Sequence, residues 1–408
     1  MSRDDAEKAA PLDGVKVLEV SQYIAGPYAG QHLADAGAEV IKIERPPFGD
    51  PLRSYATGKA PLFGANFLAF NRNKRSVVLD LQSAEGREVF LKLAERADVV
   101  LENFRPGVMD RIGLGYETLR QSNPGLIYCG VAGFPADGPD RLRPAFDTVG
   151  QALSGILHML TDPKKPRMRG PSIADQTTGL FAANAIFAAL YRRSKTNVGC
   201  RIDLTMVDAS MSLIPDAFAF HTEVGVDWDS ETRAGMSHSM VMRCAGDELL
   251  AIHLGGPERW WQLLVQAVQT PELLKDPRFN LREVRIPNWD ALLDILQPIF
   301  LGRTRAEWMK RLLDLDVPCA EVLTIPEVVA NPGVRHAEIF ETYDHPVAGP
   351  MKLMRRAARI DGSRGPPQKP PALLDEHTDL VLRELGYSDD KVAAMRASGG
   401  VGANAQTA

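Results

Sequence analysis

Short apolar strands alternate with helices along the first third of the chain, and this alternation constrains the fold more than any other feature. Residues 15–20 have strand periodicity, residues 27–36 have helical periodicity and end at Gly37, and residues 39–44 form a second strand. The pattern continues with strands at 76–81, 98–104 and 126–131, a helix over 84–96 and short helices up to residue 123. Such alternation predicts an α/β fold with a doubly wound parallel sheet.

The length of 408 residues exceeds what one hydrophobic core usually supports, so we expect two domains. From residue 226 to 329 one strand, 248–253, is followed by helical segments rich in Trp and Leu, such as PERWWQLLVQAV. We therefore predict a small domain over 226–329 and a large domain formed by 1–225 and 330–408. A Pro-rich connector is expected over 364–371, a helix over 378–385 and disorder after Ser398.

Composition describes an ordinary globular protein, with 45% hydrophobic and 24% charged residues. A net charge of -5 argues against a nucleic acid or a membrane surface as partner. The cysteines lack CxxC spacing, so they predict neither zinc nor disulfides and fit reducing cytosol. The first residues, MSRDDAEKAA, contain no apolar signal region, and no long apolar segment follows. We expect a cytoplasmic protein.

One acidic residue, Asp175, stands in the segment PSIADQTTGLFAANAIFAALYRR among small or uncharged neighbours. No neighbour in the sequence neutralises it or relays a proton to it. A carboxylate in this setting can attack an activated acyl group directly and form a covalent intermediate. The commoner role is capping of the helix that follows, and local sequence alone favours the cap. The two roles are compatible, because a helix N-terminus stabilises an ionised carboxylate.

Basic and amide residues cluster in four turns of this acidic protein. Arg45 and Arg105 follow predicted strands, and an open parallel sheet binds ligands beyond the carboxyl ends of its strands. The turns therefore predict a site for a multiply phosphorylated ligand, with solvated surface charge as the alternative interpretation. The residues are Arg45, Arg72, Asn73, Lys74, Arg75, Asn103, Phe104, Arg105 and Arg111.

Several other enzyme classes are disfavoured by missing motifs. The first turn, AGPYAG, spaces its glycines as GxxxG and not as the GxGxxG of dinucleotide-binding folds. HExxH, GxSxG and P-loop motifs do not occur. His32 is expected to be an ordinary helix residue, and Trp260 and Trp261 to be core or interface residues. His238 and His253 flank the strand of the small domain, where packing is a commoner role than substrate contact.

The segments named above, with several others, resemble the class III CoA-transferases, also called the CaiB/BaiF family, which includes formyl-CoA transferase and carnitine CoA-transferase. The resemblance covers nearly the whole chain. It is carried by the opening PLDGVKVLEVSQYIAGPYAGQHLADAGAEVIKIERP and by FNRNKRSVVLDL, ENFRPGVMDRIGLGYETL, FDTVGQALSG, SIAD, LTMVDASM, DPRF and LLDEHTDLVLRELGY.

The resemblance implies that Asp175 becomes acylated. It also implies a fold of interlocked, ring-like subunits in a homodimer, each with a Rossmann-like large domain and a smaller α+β domain. The substrates would be an acyl-CoA donor and a carboxylic acid acceptor, with coenzyme A as a substrate and no tightly bound cofactor or metal. By the same resemblance the CoA site would include Arg45, Asn73, Lys74, Asn103, Phe104 and Arg111, and the thioester would lie near Gln22, Tyr23 and Ile24.

Two further functions stay open at this point. The fold also supports 2-methylacyl-CoA racemisation, which uses a histidine where this chain has Phe146, directly before Asp147. Without that second acid or base, proton exchange on both sides of an acyl α-carbon lacks a partner for Asp175. The other alternative is a non-catalytic CoA-binding homodimer. A glycine run of some family members is replaced by residues 233–239, which puts oxalate as acceptor in doubt; succinate-like dicarboxylates or branched C4 to C5 acids are the acids we expect.

Overall fold

The computed structural model describes residues 10–55, 58, 60–365 and 368–403. Its strands are β1 (Lys16–Val20), β2 (Glu39–Glu44), β3 (Lys74–Val78), β4 (Val99–Glu102), β5 (Ile127–Ala132), β6 (Cys200–Thr205), β7 (Ser239–Arg243), β8 (Leu249–His253), β9 (Cys319–Glu321), β10 (Phe340–His345) and β11 (Gly349–Met354).

Its α-helices are α1 (Ala25–Asp35), α2 (Leu52–Tyr55), α3 (Ala65–Phe70), α4 (Ala84–Ala94), α5 (Val108–Arg111), α6 (Tyr116–Ser122), α7 (Asp147–Leu153), α8 (Ile156–Leu160), α9 (Ile173–Thr196), α10 (Met206–Met211), α11 (Pro215–Ala219), α12 (Thr232–Ser237), α13 (Glu258–Val268), α14 (Arg282–Arg285), α15 (Trp289–Phe300), α16 (Arg305–Asp314), α17 (Ile325–Ala330), α18 (Pro332–His336), α19 (Thr378–Glu384) and α20 (Asp389–Ala397).

The chain divides into two compact units. The larger unit contains the described residues up to Ile156, Gly170–Ile214 and those from Glu338 onward. The smaller unit contains Leu157–Arg169 and Pro215–Ala337. The predicted small domain, 226–329, lies inside the smaller unit, and the large unit takes up the chain again after it.

A parallel sheet with the strand order β3-β2-β1-β4-β5-β6 forms the larger unit. This confirms the predicted parallel sheet, and the order is that of a doubly wound, Rossmann-like fold. The strand order reverses between β1 and β4. Folds of this kind bind ligands at that point, beyond the carboxyl ends of the strands, so the segments after β1 and β4 are where a site is expected.

Successive residues of the central strands face opposite sides of this sheet, and each side is covered by helices. Leu18 and Val100 belong to a core with Phe90 of α4 and Leu382 of α19. Their strand neighbours Val17 and Val99 belong to a second core, with residues of α1 and α9. Both faces are therefore buried, which explains why the strands read as apolar runs in the sequence.

The smaller unit has its own antiparallel sheet, with strand order β7-β8-β9, and a separate core. The strand predicted at 248–253 is confirmed as β8, but the expectation of a single strand here was wrong because β7 and β9 pair with it. The strand β7 was missed because it is only five residues long, too short for its alternation to be recognised. Within it, Met240 and Met242 are buried and Val241 is exposed. The Trp261 side chain is 2% exposed and belongs to the core, as expected.

The two histidines named in the sequence analysis have different surroundings, His238 directly before β7 and His253 at the end of β8. His238 is 1% exposed, and its Nε2 atom lies 3.3 Å from Nε of Arg285. Burial, with the nearby Arg285 charge, lowers the His238 pKa to about 4. His253 is exposed, and its Nδ1 atom is hydrogen-bonded to the Ser239 hydroxyl at 2.7 Å.

The carboxyl-terminal segment differs from its prediction. Residues 399–403 were expected to be disordered, but Val401 is 1% exposed in the core of the larger unit. The Gly402 N–H donates a hydrogen bond to the Val78 carbonyl at 2.9 Å. The hairpin of β10 and β11 was also missed by the sequence analysis. Residues 366 and 367 of the predicted connector, and residues 404–408 of the tail, lie outside the described residues.

Candidate active site

A cavity of about 600 Å³ opens at the carboxyl edge of the parallel sheet, within the larger unit. Its volume falls in the range of pockets that hold a small molecule or part of a cofactor. It lies where the strand order reverses, because segments after β1, β4 and β5 form its wall. The lining includes Tyr23, Ile24, Ala25, Asn103, Phe104, Arg105, Pro106, residues 131–134, Arg141, residues 143–147, Ser172 and Asp175.

Asp175 is the third residue of α9 and lines this cavity. It is half-buried, and among the described residues no group hydrogen-bonds to its carboxylate. Ser172 occupies the N-cap position and Asp175 lies inside the helix, so Asp175 does not cap it. The cap interpretation of Asp175 was therefore wrong. Its place in the first turn still exposes it to the positive end of the helix.

The cap of α9 comes from Asp147, at the start of α7. Its Oδ1 atom accepts hydrogen bonds from the backbone N–H groups of Ala174 at 2.9 Å and Asp175 at 3.3 Å. Its Oδ2 atom accepts one from Nε2 of Gln151 at 2.7 Å. The sequence analysis gave Asp147 no role, because its partners lie far along the chain and only the packing of α7 against α9 brings them together.

The surroundings of Asp175 allow its carboxylate to ionise near neutral pH without stabilising the charge strongly. Burial, followed by repulsion from the Asp147 carboxylate, raises the Asp175 pKa to about 7. The carboxylate is therefore a stronger base and nucleophile than that of an ordinary aspartate, and a large fraction of it is ionised at neutral pH. The Asp147 carboxylate accepts hydrogen bonds from the helix and Gln151, whereas the Asp175 carboxylate has no hydrogen-bond partner among the described residues.

The turns after β1 and β4 hold each other in place. The Gln22 N–H donates to Oδ1 of Asn103 at 2.8 Å, and Nδ2 of Asn103 donates to the Gln22 carbonyl at 2.7 Å. The Phe104 N–H donates to the buried Glu102 carboxylate at 2.7 Å. A side chain at Gly26 would clash with Ser21, since its Cβ atom would lie 2.3 Å from the Ser21 Cβ atom.

Because both hydrogen bonds of Gln22 to Asn103 involve its backbone, Gln22 acts here through its backbone. Tyr23 and Ile24, which follow it, line the cavity.

Three guanidinium groups line the cavity, those of Arg105, Arg141 and Arg143. Arg105 was predicted from the sequence, whereas Arg141 and Arg143 were missed. They precede α7 in a segment that has neither strand nor helix periodicity, so no pattern distinguished them from surface charge. Guanidinium groups bind phosphate oxygens in bidentate fashion, so this set suits a phosphorylated ligand.

The structure places the basic cluster before β3 away from this cavity. Arg72 is buried and forms an ion pair with Asp35. Lys74 is buried and forms an ion pair with Glu19 at 2.8 Å. Arg72 precedes β3 and Lys74 is its first residue, so their backbone lies at the amino edge of the sheet, while the Lys74 ammonium extends to Glu19 near the carboxyl end of β1. In the same cluster, Nδ2 of Asn73 donates to Asp35 and Gln368, and Arg75 pairs with Glu39 and Glu384.

The remaining predicted cations are also separate from the lining. Arg45 and Arg111 are exposed and do not line the cavity. Of the predicted ligand residues, the structure thus gathers Tyr23, Ile24, Asn103, Phe104 and Arg105 around Asp175. The four turns do not bring all of their cations to one place.

Within the part of the chain that the structure describes, no helix combines the length and apolar character needed to cross a membrane. The same residues contain no group of three or more His, Cys, Asp or Glu side chains arranged to hold a metal ion.

Comparison with known proteins gives one family for this chain. It is 30% identical to the succinyl-CoA:glutarate CoA-transferase of Mus musculus, over 97% of this chain and 92% of the relative. It is 34% identical to the succinyl-CoA:mesaconate CoA-transferase of Haloarcula hispanica, over 92% of this chain and 96% of the relative. A solved CaiB/BaiF family protein from Brucella suis matches with a TM-score of 0.81 and 30% identity, covering 92% of this chain and 99% of that one.

The family model described as CoA-transferase family III matches residues 12–378. That span contains every residue of the cavity lining, from Tyr23 to Met206. The chain therefore belongs to CoA-transferase family III, and it is a class III CoA-transferase.

Proposed function

We propose that this enzyme moves CoA from an acyl-CoA donor to a carboxylic acid acceptor through covalent intermediates on Asp175. The main support is the position of Asp175, which lines the cavity. Its carboxyl group has a raised pKa and no hydrogen-bond partner among the described residues. An unpaired, ionised carboxylate needs no general base to attack a thioester carbonyl.

The first half of the reaction exchanges the donor acid for CoA on the enzyme. An Asp175 oxygen attacks the thioester carbonyl, the C–S bond breaks, and a mixed anhydride and CoA thiolate form. The thiolate then attacks the aspartyl carbonyl of the anhydride. The anhydride C–O bond breaks, the donor acid leaves as a carboxylate, and an aspartyl-CoA thioester remains.

The second half repeats these steps with the acceptor. The acceptor carboxylate attacks the aspartyl-CoA carbonyl and releases CoA thiolate, which leaves an anhydride between Asp175 and the acceptor. The thiolate attacks the acceptor carbonyl, and the new acyl-CoA departs as Asp175 regains its carboxylate. One thioester replaces another, so the overall free-energy change is small. Catalysis depends on positioning and on oxyanion donors worth roughly 3 to 4 kcal/mol each.

Coenzyme A would bind as a substrate along the cavity. Asn103, Phe104 and Arg105 line it from one side, and Arg141 and Arg143 from another. The guanidinium groups support the proposal because the CoA portion of the substrate carries phosphate groups. The predicted ligands Arg72, Asn73, Lys74 and Arg75 have a structural role in this proposal, because their ion pairs and hydrogen bonds attach the start of β3 to neighbouring elements.

The acceptor is proposed to be a carboxylic acid of the dicarboxylate class. The support is that the mouse and Haloarcula relatives are named for glutarate and mesaconate, each with succinyl-CoA. A panel of acyl-CoA donors against mono- and dicarboxylates tests this part separately.

The direct test of the mechanism traps the intermediate. Incubation with acyl-CoA and hydroxylamine should convert Asp175 to its hydroxamate, which mass spectrometry of the Asp175 peptide detects. Asp175→Asn should show neither the hydroxamate nor transfer, while Asp137→Asn, an exposed aspartate outside the cavity lining, should behave as the wild type. An unmodified Asp175 peptide in actively transferring enzyme would overturn the proposal.

The racemase alternative makes a different prediction. It requires deuterium from solvent at the acyl α-carbon without any acceptor acid. Phe146 occupies the place of the second acid or base, and its ring packs edge-on against Tyr23 with the centroids 5.4 Å apart. A phenyl group there cannot exchange protons. A non-catalytic CoA-binding protein, in contrast, would bind acyl-CoA and turn over no acid.

We also propose that two copies of the chain associate. The α9 helix leaves an apolar stripe uncovered, with Leu180, Phe181, Phe187 and Tyr191 being 48%, 38%, 38% and 69% exposed. Their spacing places them along one side of the helix, and contiguous apolar surface of this kind marks an interface. Phe187→Glu should give a monomer in sedimentation velocity, whereas Leu380→Glu, at another exposed apolar position, should leave the assembly unchanged.

The compartment is proposed to be the cytoplasm. The support is that Cys129, Cys200, Cys244 and Cys319 are all free thiols. Free cysteines, two of them buried, suit a reducing compartment.

A further inference from the structure

A buried ion network lies directly beneath the turn that follows β1. Nζ of Lys42 is 3.0 Å from Oε1 of Glu19 and 2.9 Å from Oδ2 of Asp50, and it donates to the Ser21 carbonyl at 2.8 Å. The three charged side chains are 0–2% exposed. Burial favours a neutral lysine, but the charges of Asp50 and Glu19 outweigh it, so the Lys42 pKa is raised. The network is charged and has no solvent to replace a lost partner.

The other carboxylate oxygen of Asp50 makes hydrogen bonds outside this ion network. Its Oδ1 atom accepts hydrogen bonds from the backbone N–H of Leu52 at 2.9 Å and of Tyr23 at 3.3 Å. Tyr23 has a φ of 63°, which is unfavourable for a residue with a bulky side chain and costs on the order of 1 to 2 kcal/mol. Such a conformation persists only where neighbours enforce it, and Asp50 provides a hydrogen bond that does so.

Tyr23 connects this network to the reacting group. Its ring lines the cavity and packs edge-on against Phe146, at an interplanar angle of 83°. Phe146 is the residue before Asp147, whose Oδ1 atom caps the helix that carries Asp175. A continuous series of contacts therefore runs from Asp50 through Tyr23 to the start of α9.

We propose that Asp50 is a positioning residue for CoA transfer, which holds Tyr23 in its left-handed conformation and thereby fixes part of the wall of the cavity that contains Asp175. Lys42 anchors Asp50 for this task. The inference rests on the proposed function for its kinetic consequence, but the structural claim about Tyr23 has a readout of its own.

A matched control distinguishes positioning from ordinary stability. Asp35 is also a buried aspartate, 4% exposed against 2% for Asp50, and it is also paired with a buried cation, Arg72. It lies at the end of α1, at the opposite edge of the sheet. Both Asp50→Ala and Asp35→Ala should lower the melting temperature, because each removes a carboxylate that neutralises a buried cation.

Only the Asp50 variant should change catalysis. In Asp50→Ala we expect kcat per folded enzyme to fall about tenfold or more, since displacement of a positioning group by about 1 Å can cost 100-fold. Its kcat should fall by a larger factor than the KM for acyl-CoA rises. Asp50→Asn keeps an oxygen that can accept from the Tyr23 N–H, so its kcat should lie between those of the wild type and Asp50→Ala. The kcat of Asp35→Ala should equal that of the wild type.

The readout that needs no activity uses protein labelled with 3-fluorotyrosine. The ¹⁹F resonance of Tyr23 is assigned by its disappearance in Tyr23→Phe. Asp50→Ala should shift or broaden this resonance, and Asp35→Ala should leave it in place. If Asp50→Ala does not fold, Asp50→Asn gives the same readout with a smaller expected shift.

An unchanged Tyr23 resonance in a folded Asp50 variant overturns the proposal. So does a kcat equal to that of the Asp35 control. Absence of CoA transfer in the wild type, by contrast, refutes the proposed function, and the fluorine spectrum then decides the positioning claim alone. The two failures are therefore distinguishable.

Discussion

The side chain of Asp147 holds the backbone of Asp175, since its Oδ1 atom accepts the Asp175 N–H at 3.3 Å together with that of Ala174 at 2.9 Å. Two carboxylates thus share one site with divided tasks. Asp147 is engaged by helix and amide donors, whereas Asp175 has no such partners among the described residues. Placing unequal environments around neighbouring acids is a common way to separate their pKa values.

The pH dependence of transfer should follow Asp175. Its pKa of about 7 predicts that kcat/KM falls about tenfold per unit as the pH drops below that value, because the protonated acid is not a nucleophile. Asp147→Asn removes a charge that raises the Asp175 pKa, so the acidic limb should move to lower pH. Initial rates between pH 5 and 9 check both expectations.

The Asp147→Asn variant can keep the local hydrogen bonds. Its amide oxygen can still accept from the helix, and the Oε1 atom of Gln151 is buried without a partner among the described residues. A flip of the Gln151 amide would let that atom accept from the new NH₂ group. An acidic limb that does not move, in a folded variant, would contradict the electrostatic role assigned to Asp147.

The free energy of unfolding should also depend on Asp175. Its pKa is raised in the folded protein above the ordinary 3.8, so the folded state disfavours the carboxylate and loses stability as the pH rises to about 7. Asp175→Asn removes this cost. The variant should be more stable than the wild type by roughly 4 kcal/mol at pH 8 and by less than about 1 kcal/mol near pH 4. Urea unfolding at the two pH values measures the difference.

The cavity arginines should contribute to the affinity for acyl-CoA. Replacing Arg141 or Arg143 by Gln should raise the KM several-fold with little change in kcat, because a contact made equally in ground and transition states affects binding alone. The effect should shrink as salt concentration rises. Arg120→Gln serves as control, since Arg120 is exposed on α6 and pairs with Glu117. A KM unchanged in both cavity variants would remove these residues from the site.

The contact between α9 and α1 should tolerate no side chain at Gly179. A Cβ atom there would lie 2.7 Å from the Ala25 carbonyl oxygen and 3.0 Å from Tyr28. Gly179→Ala should therefore destabilise the fold by about 1 to 3 kcal/mol despite the better helix propensity of alanine. It should also lower kcat, because Asp175 lies one turn away. Asn184→Ala, at an exposed position of the same helix, should change neither quantity appreciably.

The sequence determined those features that depend on residues close together in the chain. Apolar runs and their spacing located β1, β2, β4 and β5, and the alternation with helices required parallel pairing. The small neighbours of Asp175 marked it as a carboxylate without a local partner. Short strands such as β9, with three residues, carry too little periodicity to be detected.

Tertiary structure decided which of the polar residues meet. Arg72 and Lys74 looked like ligand-binding cations, but Arg72 pairs with the buried Asp35 and Lys74 pairs with the buried Glu19 near the carboxyl end of β1. Asp147 looked unremarkable, yet packing brings it to the first turn of α9. The physical reason is that burial must satisfy every charge, and the partner that satisfies it is chosen by distance in space, which a linear pattern does not record.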